Sequence, residues 1–277
     1  FIGGEALDAY ISAPKANGNG VAIPLTRVLD ADAGANNSAF SANTSLLKAL
    51  GFTPTYTGAA AVNQRDGAVT FSTNYNWDFN PTDGVTAGAF DFIGVAVHEI
   101  GHALGFRSGV DTYDNNVNFA GNLGNYALMS IWDLFRYSAT SNGVNDWSIG
   151  TASYFSIDGG ATAYEGGYFS TGRYYGDGRQ ASHWKDLNPP IGLMDPTVAG
   201  GFETFVTSLD LAAFDVMGWG TAIDVMANKD FVFTSGDMWY LYNNPGVPEP
   251  ATWAMLIAGF GLVGLTARRR RMAGNAA

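Results

Sequence analysis

Two of the three histidines in this 277-residue chain, His98 and His102, belong to the pattern His-Glu-x-x-His. Residues four apart on an α-helix lie on one face, so these two imidazoles can bind the same metal ion. A catalytic zinc commonly takes three protein ligands and keeps its fourth position open for water. The pattern therefore predicts a zinc site, and the remaining histidine, His183, is the first candidate for the third ligand.

Glu99 follows His98 directly and projects about 100° away from it on a helix, beside the metal but outside its ligand set. Zinc lowers the pKa of its bound water to about 7 and polarises a carbonyl group. A neighbouring carboxylate can then accept the proton of the attacking water and later deliver it to the leaving amine. Glu99 is therefore predicted to be the general base of a hydrolytic site.

The helix that carries these residues is expected over residues 91–105. Asp91 is a suitable N-cap, and Gly105 can end the helix in a left-handed turn. Apolar side chains form one continuous arc opposite His98, which predicts the face that packs on the core. They are Ile93, Ala96, Val97, Ile100, Ala103 and Leu104.

The third ligand is not settled by the motif, because Ser108 stands where the short metzincin pattern has its third histidine. His183 is one alternative, and Asp111, nine residues past His102, is another. A downstream glutamate is the third, and the glutamates concerned are Glu165, Glu203 and Glu249. Asp111 and Asp114 together could also form a loop that binds calcium.

The segment around His183 resembles the leishmanolysin-like branch of the metzincins. There a long insertion separates the motif from a His-Trp third ligand and a methionine turn, here His183-Trp184 and Met194 within Leu-Met-Asp-Pro. The resemblance implies a zinc endopeptidase with ligands His98, His102 and His183, an insertion over about 106–182, and Met194 beneath the metal. It also implies an α+β fold with a small twisted sheet, an active-site helix and an irregular or helical C-terminal half.

Further elements follow from local patterns. A substrate-binding rim strand is expected at Val69–Asn74, within an alternating stretch at 68–73. Another strand is predicted at 21–29, and helices are predicted at 38–50, 128–137 and 207–217. The last of these starts with Thr-x-x-Asp, and its apolar face consists of Leu209, Ala212, Ala213 and Val216.

Composition restricts the class of protein. Of 14 Lys and Arg and 25 Asp and Glu, four Arg lie beyond residue 250, which leaves 10 basic against 25 acidic groups before it. Such an acidic surface argues against nucleic-acid binding. With no cysteine, the chain has neither disulfides nor thiolate zinc ligands.

The C-terminal region predicts where in the cell the protein is sent. Val-Pro-Glu-Pro at 247–250 precedes 17 uncharged residues, 251–267, and then four arginines, 268–271. This length and charge order predict a segment that spans the inner membrane with its basic end in the cytoplasm. The arrangement resembles the PEP-CTERM sorting signal of Gram-negative bacteria, which implies an exosortase as partner and a destination in the envelope, at the surface or outside the cell. Residues 1–246 would then be the catalytic domain and 247–277 the sorting region.

Two functions fit these patterns. The first is a secreted or surface-sorted zinc endopeptidase that acts on proteins or peptides through Glu-assisted attack of zinc-bound water. The alternative is a surface matrix or adhesion protein with a structural or vestigial zinc site. The intact Glu99 favours the enzyme, because a purely structural site does not use that carboxylate.

Overall fold

The structure is a computed structural model that describes residues 2–3, 39–56, 64–118, 128–143 and 145–244. Its helices in these ranges are α1 (Thr44–Ala49), α2 (Phe92–Leu104), α3 (Val110–Asn115), α4 (Ser208–Met217) and α5 (Ser235–Asn243). Its strands are β1 (Ile2–Gly3), β2 (Ala39–Phe40), β3 (Trp77–Asp78), β4 (Phe90–Asp91), β5 (Arg136–Ser138), β6 (Ser153–Phe155), β7 (Phe205–Thr207) and β8 (Val232–Thr234). The chain is therefore a mixed α and β protein with short elements.

The strands of the described ranges form four separate pairs instead of the one small sheet that was expected. The pair β3–β4 is parallel, and the pairs β1–β2, β5–β6 and β7–β8 are antiparallel. The predicted strand at 68–73, with its rim strand Val69–Asn74, is wrong, because that stretch takes part in no strand. The predicted strand at 21–29 and the predicted membrane span at 251–267 lie outside the described residues.

Helix α2 begins and ends as predicted. The Asp91 carboxylate accepts a hydrogen bond from the Gly94 N–H at 3.1 Å, and Gly105 ends the helix with φ of 121°. The last carbonyl groups are bound by side chains from other parts of the chain. The Asn43 amide donates to the His102 and Ala103 carbonyls, and the Trp219 indole donates to the Leu104 carbonyl at 3.0 Å. The terminal N–H and C=O groups of α2 are thus hydrogen-bonded at both ends, which fixes the orientation of the helix.

The buried face of α2 differs from the prediction. No member of the predicted apolar arc is buried, and Ile100 is 46% exposed. The buried helix positions are Gly94 and Gly101. A Cβ at Gly101 would lie 2.7 Å from the Met194 sulfur, so glycine is what lets the helix approach its neighbour. The rule that large apolar side chains face the core fails here, because α2 packs against its neighbour through the backbone of its glycines.

Helix α4 agrees with its sequence pattern. The Thr207 side chain accepts a hydrogen bond from the Asp210 N–H, and the Asp210 side chain accepts one from the Thr207 N–H. Gly218, in the left-handed conformation, ends the helix. The four predicted apolar residues, Leu209, Ala212, Ala213 and Val216, are all buried.

Two other predicted helices are only partly correct. The predicted helix at 38–50 is shorter, since residues 39–40 form β2 and α1 begins at Thr44. The predicted helix at 128–137 is replaced by a 3₁₀ turn at Trp132–Phe135 and then β5. Ser130 and Asp133 bind each other's backbone N–H groups there, which competes with α-helical hydrogen bonding.

Within the described part of the chain, none of the helices is both long and apolar enough to cross a membrane.

An aromatic core lies behind the three histidines. Trp184, the neighbour of His183, is fully buried and contacts the rings of Phe106, Trp132 and Phe169 at centroid distances of 5.1–5.6 Å. Ring contacts of this kind stabilise beyond the area that they bury. The core therefore fixes the backbone on which His183 is carried.

Candidate metal centre

The imidazoles of His98, His102 and His183 meet at one point. The Nε2 atoms lie 3.1 Å apart for His98 and His102, 3.1 Å for His102 and His183, and 3.3 Å for His98 and His183. Two of these residues come from α2, and the third comes from a loop more than 80 residues further along the chain. Among the described residues these are the side chains grouped closely enough to hold a metal ion.

The other nitrogen of each ring is bound to a backbone carbonyl. His98 Nδ1 lies 2.8 Å from the Leu193 oxygen, His102 Nδ1 lies 2.7 Å from the Phe106 oxygen, and His183 Nδ1 lies 3.3 Å from the Gln180 oxygen. A carbonyl oxygen only accepts, so each Nδ1 must be the protonated donor. Each neutral ring then has a bare lone pair on Nε2, and three such lone pairs face one another.

Burial keeps these rings neutral. It lowers the pKa of His98, and it lowers that of His102 together with the repulsion between the imidazoles. Burial, with the neighbouring imidazoles of His102 and His98, lowers the pKa of His183 to about 3. Neutral imidazole is the form that binds a metal ion.

The separation of the three nitrogens fits zinc. In a tetrahedral site with zinc–nitrogen bonds of about 2.0–2.1 Å, ligand nitrogens lie about 3.3 Å apart. The observed separations of 3.1–3.3 Å are close to this value. Backbone carbonyls that accept from the second ring nitrogen are also the usual outer partners of zinc-bound histidines.

Met194 lies directly beneath the motif helix. It is fully buried, its sulfur is close to Gly101, and its carbonyl accepts a hydrogen bond from the Trp184 N–H at 2.9 Å. The preceding residue, Leu193, supplies the carbonyl that binds His98. The turn at Met194 therefore connects the His183 segment with the underside of α2.

Asp111, which the sequence offered as an alternative third ligand, lies outside the histidine cluster. Its carboxylate accepts hydrogen bonds from the Ala181 N–H at 2.6 Å, from the Ser182 N–H at 3.0 Å and from the Ser182 hydroxyl. It thus holds the two residues that precede His183 and is not a member of the histidine cluster. Sequence reasoning missed this role, because nothing local relates Asp111 to a segment 70 residues away.

The other candidates are also accounted for. The Ser108 hydroxyl is buried and donates to Asp133, while the Ser108 N–H donates to the Ser182 hydroxyl at 2.7 Å. Glu165 pairs with Lys229, and Glu203 accepts from the Gly236 N–H. Neither glutamate belongs to the histidine cluster, and Glu249 lies outside the described residues.

Asp114, which together with Asp111 could form a calcium-binding loop, also accepts hydrogen bonds from distant backbone. The Asp114 carboxylate is buried and accepts from the Tyr174 and Tyr175 N–H groups at 2.8 and 2.9 Å. Both aspartates thus bind hydrogen-bond donors, and a cation in the same place would repel those donors. We therefore read both as residues that position distant backbone.

Glu99 lies between two cavities. One is lined by Val95, His98, Glu99 and Leu193, and the other by Glu99, His102 and residues 66–72. Its negative charge opposes the effect of burial on the pKa of both His98 and His102, and Glu99 adjoins His98 in sequence and lies three residues before His102 on α2. The general base predicted from sequence is thus open to molecules on either side of the cluster.

We expect Asp111→Ala to weaken zinc binding by about tenfold, because loss of a residue that orients a ligand commonly costs 10- to 100-fold in metal affinity. The measurement is a competition titration with a zinc chelator of known affinity. His183→Ala should cause a larger loss. Asp114→Ala, on the same helix and with equal backbone contacts to another loop, is the matched control and should leave the zinc affinity unchanged. If His183→Ala binds zinc normally while Asp111→Ala does not, Asp111 is the ligand.

Comparison with known proteins identifies the C-terminal region. The family model of the PEP-CTERM protein-sorting motif matches residues 246–271. Neither the curated proteins nor the solved structures give a match to the chain. PEP-CTERM signals mark proteins that Gram-negative bacteria sort to the cell envelope or surface, and recognition by an exosortase-type enzyme is implied. The predicted sorting signal is therefore confirmed, and the chain carries a PEP-CTERM motif at residues 246–271.

Proposed function

We propose that this protein is a zinc-dependent endopeptidase of the cell envelope or surface. The observation that carries the proposal is the convergence of three Nε2 atoms whose rings already donate through Nδ1. Three neutral lone pairs at 3.1–3.3 Å repel each other, and a divalent cation removes that repulsion. The ligands are His98, His102 and His183.

A zinc ion in this place would activate water and polarise the carbonyl of the bond to be cleaved. Glu99 accepts the proton of the attacking water and delivers it to the leaving amine, as general base and then general acid. The backbone carbonyls of Leu193, Phe106 and Gln180 hold the rings in one tautomer throughout. Met194 and Gly101 keep the helix and the His183 segment together.

An extended polypeptide suits the surroundings of Glu99 because cavities lie on both sides of it. The cavity on the His98 side has an apolar wall that includes Leu193, Val198 and Phe202, which favours an apolar substrate side chain there. Openness on both sides favours cleavage within a chain over removal of a terminal residue. The metzincin-like motifs, with Met194 buried against Gly101 of the motif helix, add support for peptide bonds as the target.

The alternative, a matrix or adhesion protein with a structural zinc site, is less well supported. Structural zinc sites commonly have four protein ligands and are closed to solvent. Here the described residues supply three, and a carboxylate faces cavities beside them.

Metal analysis together with hydrolysis tests the proposal. We expect purified protein to contain one zinc per chain and to cleave a quenched peptide library, with activity abolished by 1,10-phenanthroline and restored by added zinc. One zinc per chain with no hydrolysis would instead support the matrix protein. Hydrolysis that persists after complete removal of metal would contradict the zinc mechanism.

A further inference from the structure

Six aromatic rings form a partly exposed cluster at the start of the motif helix. We call it the aromatic patch, and its members are Phe71, Tyr75, Trp77, Phe79, Phe90 and Phe92. None of them is buried, and Tyr75 and Phe79 are 56% and 59% exposed. Large contiguous apolar surfaces on soluble proteins usually mark a binding site.

The aromatic patch is held rigidly. Trp77 contacts four of the other rings at centroid distances of 5.6–6.2 Å, and its indole N–H donates to the Ser72 carbonyl at 2.8 Å. Trp77 and Phe90 are also paired in register across the parallel strands β3 and β4. A surface organised before binding loses little conformational entropy when a partner attaches.

The aromatic patch is continuous with the metal centre. One cavity has Phe71, Tyr75 and Trp77 along part of its wall and Glu99 and His102 along another part. Phe92 and His98 are six residues apart on α2, which separates them by about 9 Å along the helix axis and turns their side chains about 120° apart, so the patch lies at least 9 Å from the first ligand. An extended peptide covers about 9 Å with about three residues.

The local charge also restricts the partner. Residues 66–106 include five acidic side chains and no Lys or Arg, while Arg65 and Arg107 flank this range and Lys48 pairs with Asp66. The acids are Asp66, Asp78, Asp83, Asp91 and Glu99. An anionic membrane surface or an acidic peptide would be repelled, whereas a chain with basic residues would be attracted. Aromatic faces bind both apolar rings and cations.

From these observations we propose that the aromatic patch is a substrate subsite that binds an aromatic side chain three or more residues from the scissile bond, in a polypeptide with basic flanking residues. This inference rests on the proposed peptidase function and names its substrate class. Tyr75 and Phe79 provide the exposed contact surface, and Trp77 holds the rings in place.

A binding experiment separates this inference from catalysis. The probes are fluorescent eight-residue peptides of Gly, Ser and Lys in which one Phe occupies each position in turn, with a peptide lacking Phe as reference. They are titrated against the zinc-loaded full chain carrying Glu99→Gln, and affinity is read by fluorescence anisotropy. We expect Phe at one position to strengthen binding about tenfold over the reference.

The variant Tyr75→Ala/Phe79→Ala should reduce this preference to less than twofold. Both side chains are more than half exposed, so the variant is expected to fold, and unchanged zinc content with an unchanged melting temperature checks this. Tyr174→Ala, 62% exposed and outside the aromatic patch, is the control and should keep the tenfold preference.

Equal binding of all peptides would overturn the inference, and so would a Phe preference that survives in the double variant. Binding of the intact protein to phosphatidylcholine vesicles that depends on Tyr75 and Phe79, without any peptide preference, would assign the aromatic patch to a membrane and also overturn it. Because these readouts do not use turnover, a failed hydrolysis assay would count against the proposed function alone.

Discussion

Replacement of Glu99 by Gln is expected to lower kcat/KM for peptide hydrolysis by about 10³-fold while zinc remains bound, since general acid–base catalysis contributes about 10²–10⁴-fold. The amide has nearly the same shape but does not accept the proton of the attacking water. Zinc binding should be unaffected because the outer partners of the three ligands are backbone carbonyls and not Glu99. Steady-state kinetics and metal analysis on the same preparation provide the measurement.

Glu165→Gln is the matched control for this experiment. Its carboxylate pairs with the exposed Lys229 at 2.8 Å, and it is not part of the histidine cluster. It should retain full activity. Comparable activity in Glu99→Gln and Glu165→Gln would remove Glu99 as the general base, and zinc lost from Glu99→Gln would mean that the side chain helps to hold the metal.

Asp210→Ala is expected to lower the free energy of unfolding by about 4 kcal/mol or more, the largest loss of stability among the substitutions described here. The Asp210 carboxylate is buried and accepts from the Trp184 indole at 2.8 Å and from the Leu193 and Met194 N–H groups at 2.8 and 3.3 Å. It also accepts from both the N–H and the hydroxyl of Thr207. Without the carboxylate these buried donors lose their acceptor, and each unsatisfied donor costs about 1–3 kcal/mol.

Asp237→Ala supplies a matched comparison for Asp210→Ala. Asp237 occupies the same position in the capping box of α5, with Thr234 in place of Thr207, but its side chain is exposed. Its replacement should cost about 1 kcal/mol, the usual effect of a lost helix cap. Denaturant unfolding of both variants measures the difference. Equal costs would show that Asp210 acts as a helix cap only.

Asp210→Ala should also weaken zinc binding. Asp210 holds Leu193, whose carbonyl orients His98, and Trp184, which follows His183. Competition titration under conditions where the variant stays folded tests this link. Normal zinc affinity in folded Asp210→Ala would separate the stability of the core from the geometry of the metal centre.

Local sequence patterns were sufficient where local chemistry decides the structure. Asp91 and Gly105 correctly predicted the two ends of α2. The Thr207–Asp210 pair and Gly218 correctly predicted the two ends of α4. These ends depend on hydrogen bonds and backbone conformations within a few residues. The histidine pair of α2 follows from helix periodicity alone.

Longer-range features could not be read in this way. The packing face of α2 depends on Gly101 and Gly94, and a missing side chain gives no hydrophobic signal. The place of Asp111 depends on a loop 70 residues away, and the aromatic patch depends on the parallel pairing of Trp77 with Phe90. Sequence spacing contains neither of these contacts.

The aspartates that hold distant backbone segments have an evolutionary consequence. Asp111 holds residues 181–182, Asp114 holds residues 174–175, and Asp210 holds residues 193–194, each by accepting from main-chain N–H groups. A disulfide fixes the identity of two residues, whereas such a link fixes only one, because almost every residue type offers the same N–H. The residues of loops attached in this manner can be substituted during evolution while the backbone path stays the same. An exported chain can also form every one of these links without an oxidant.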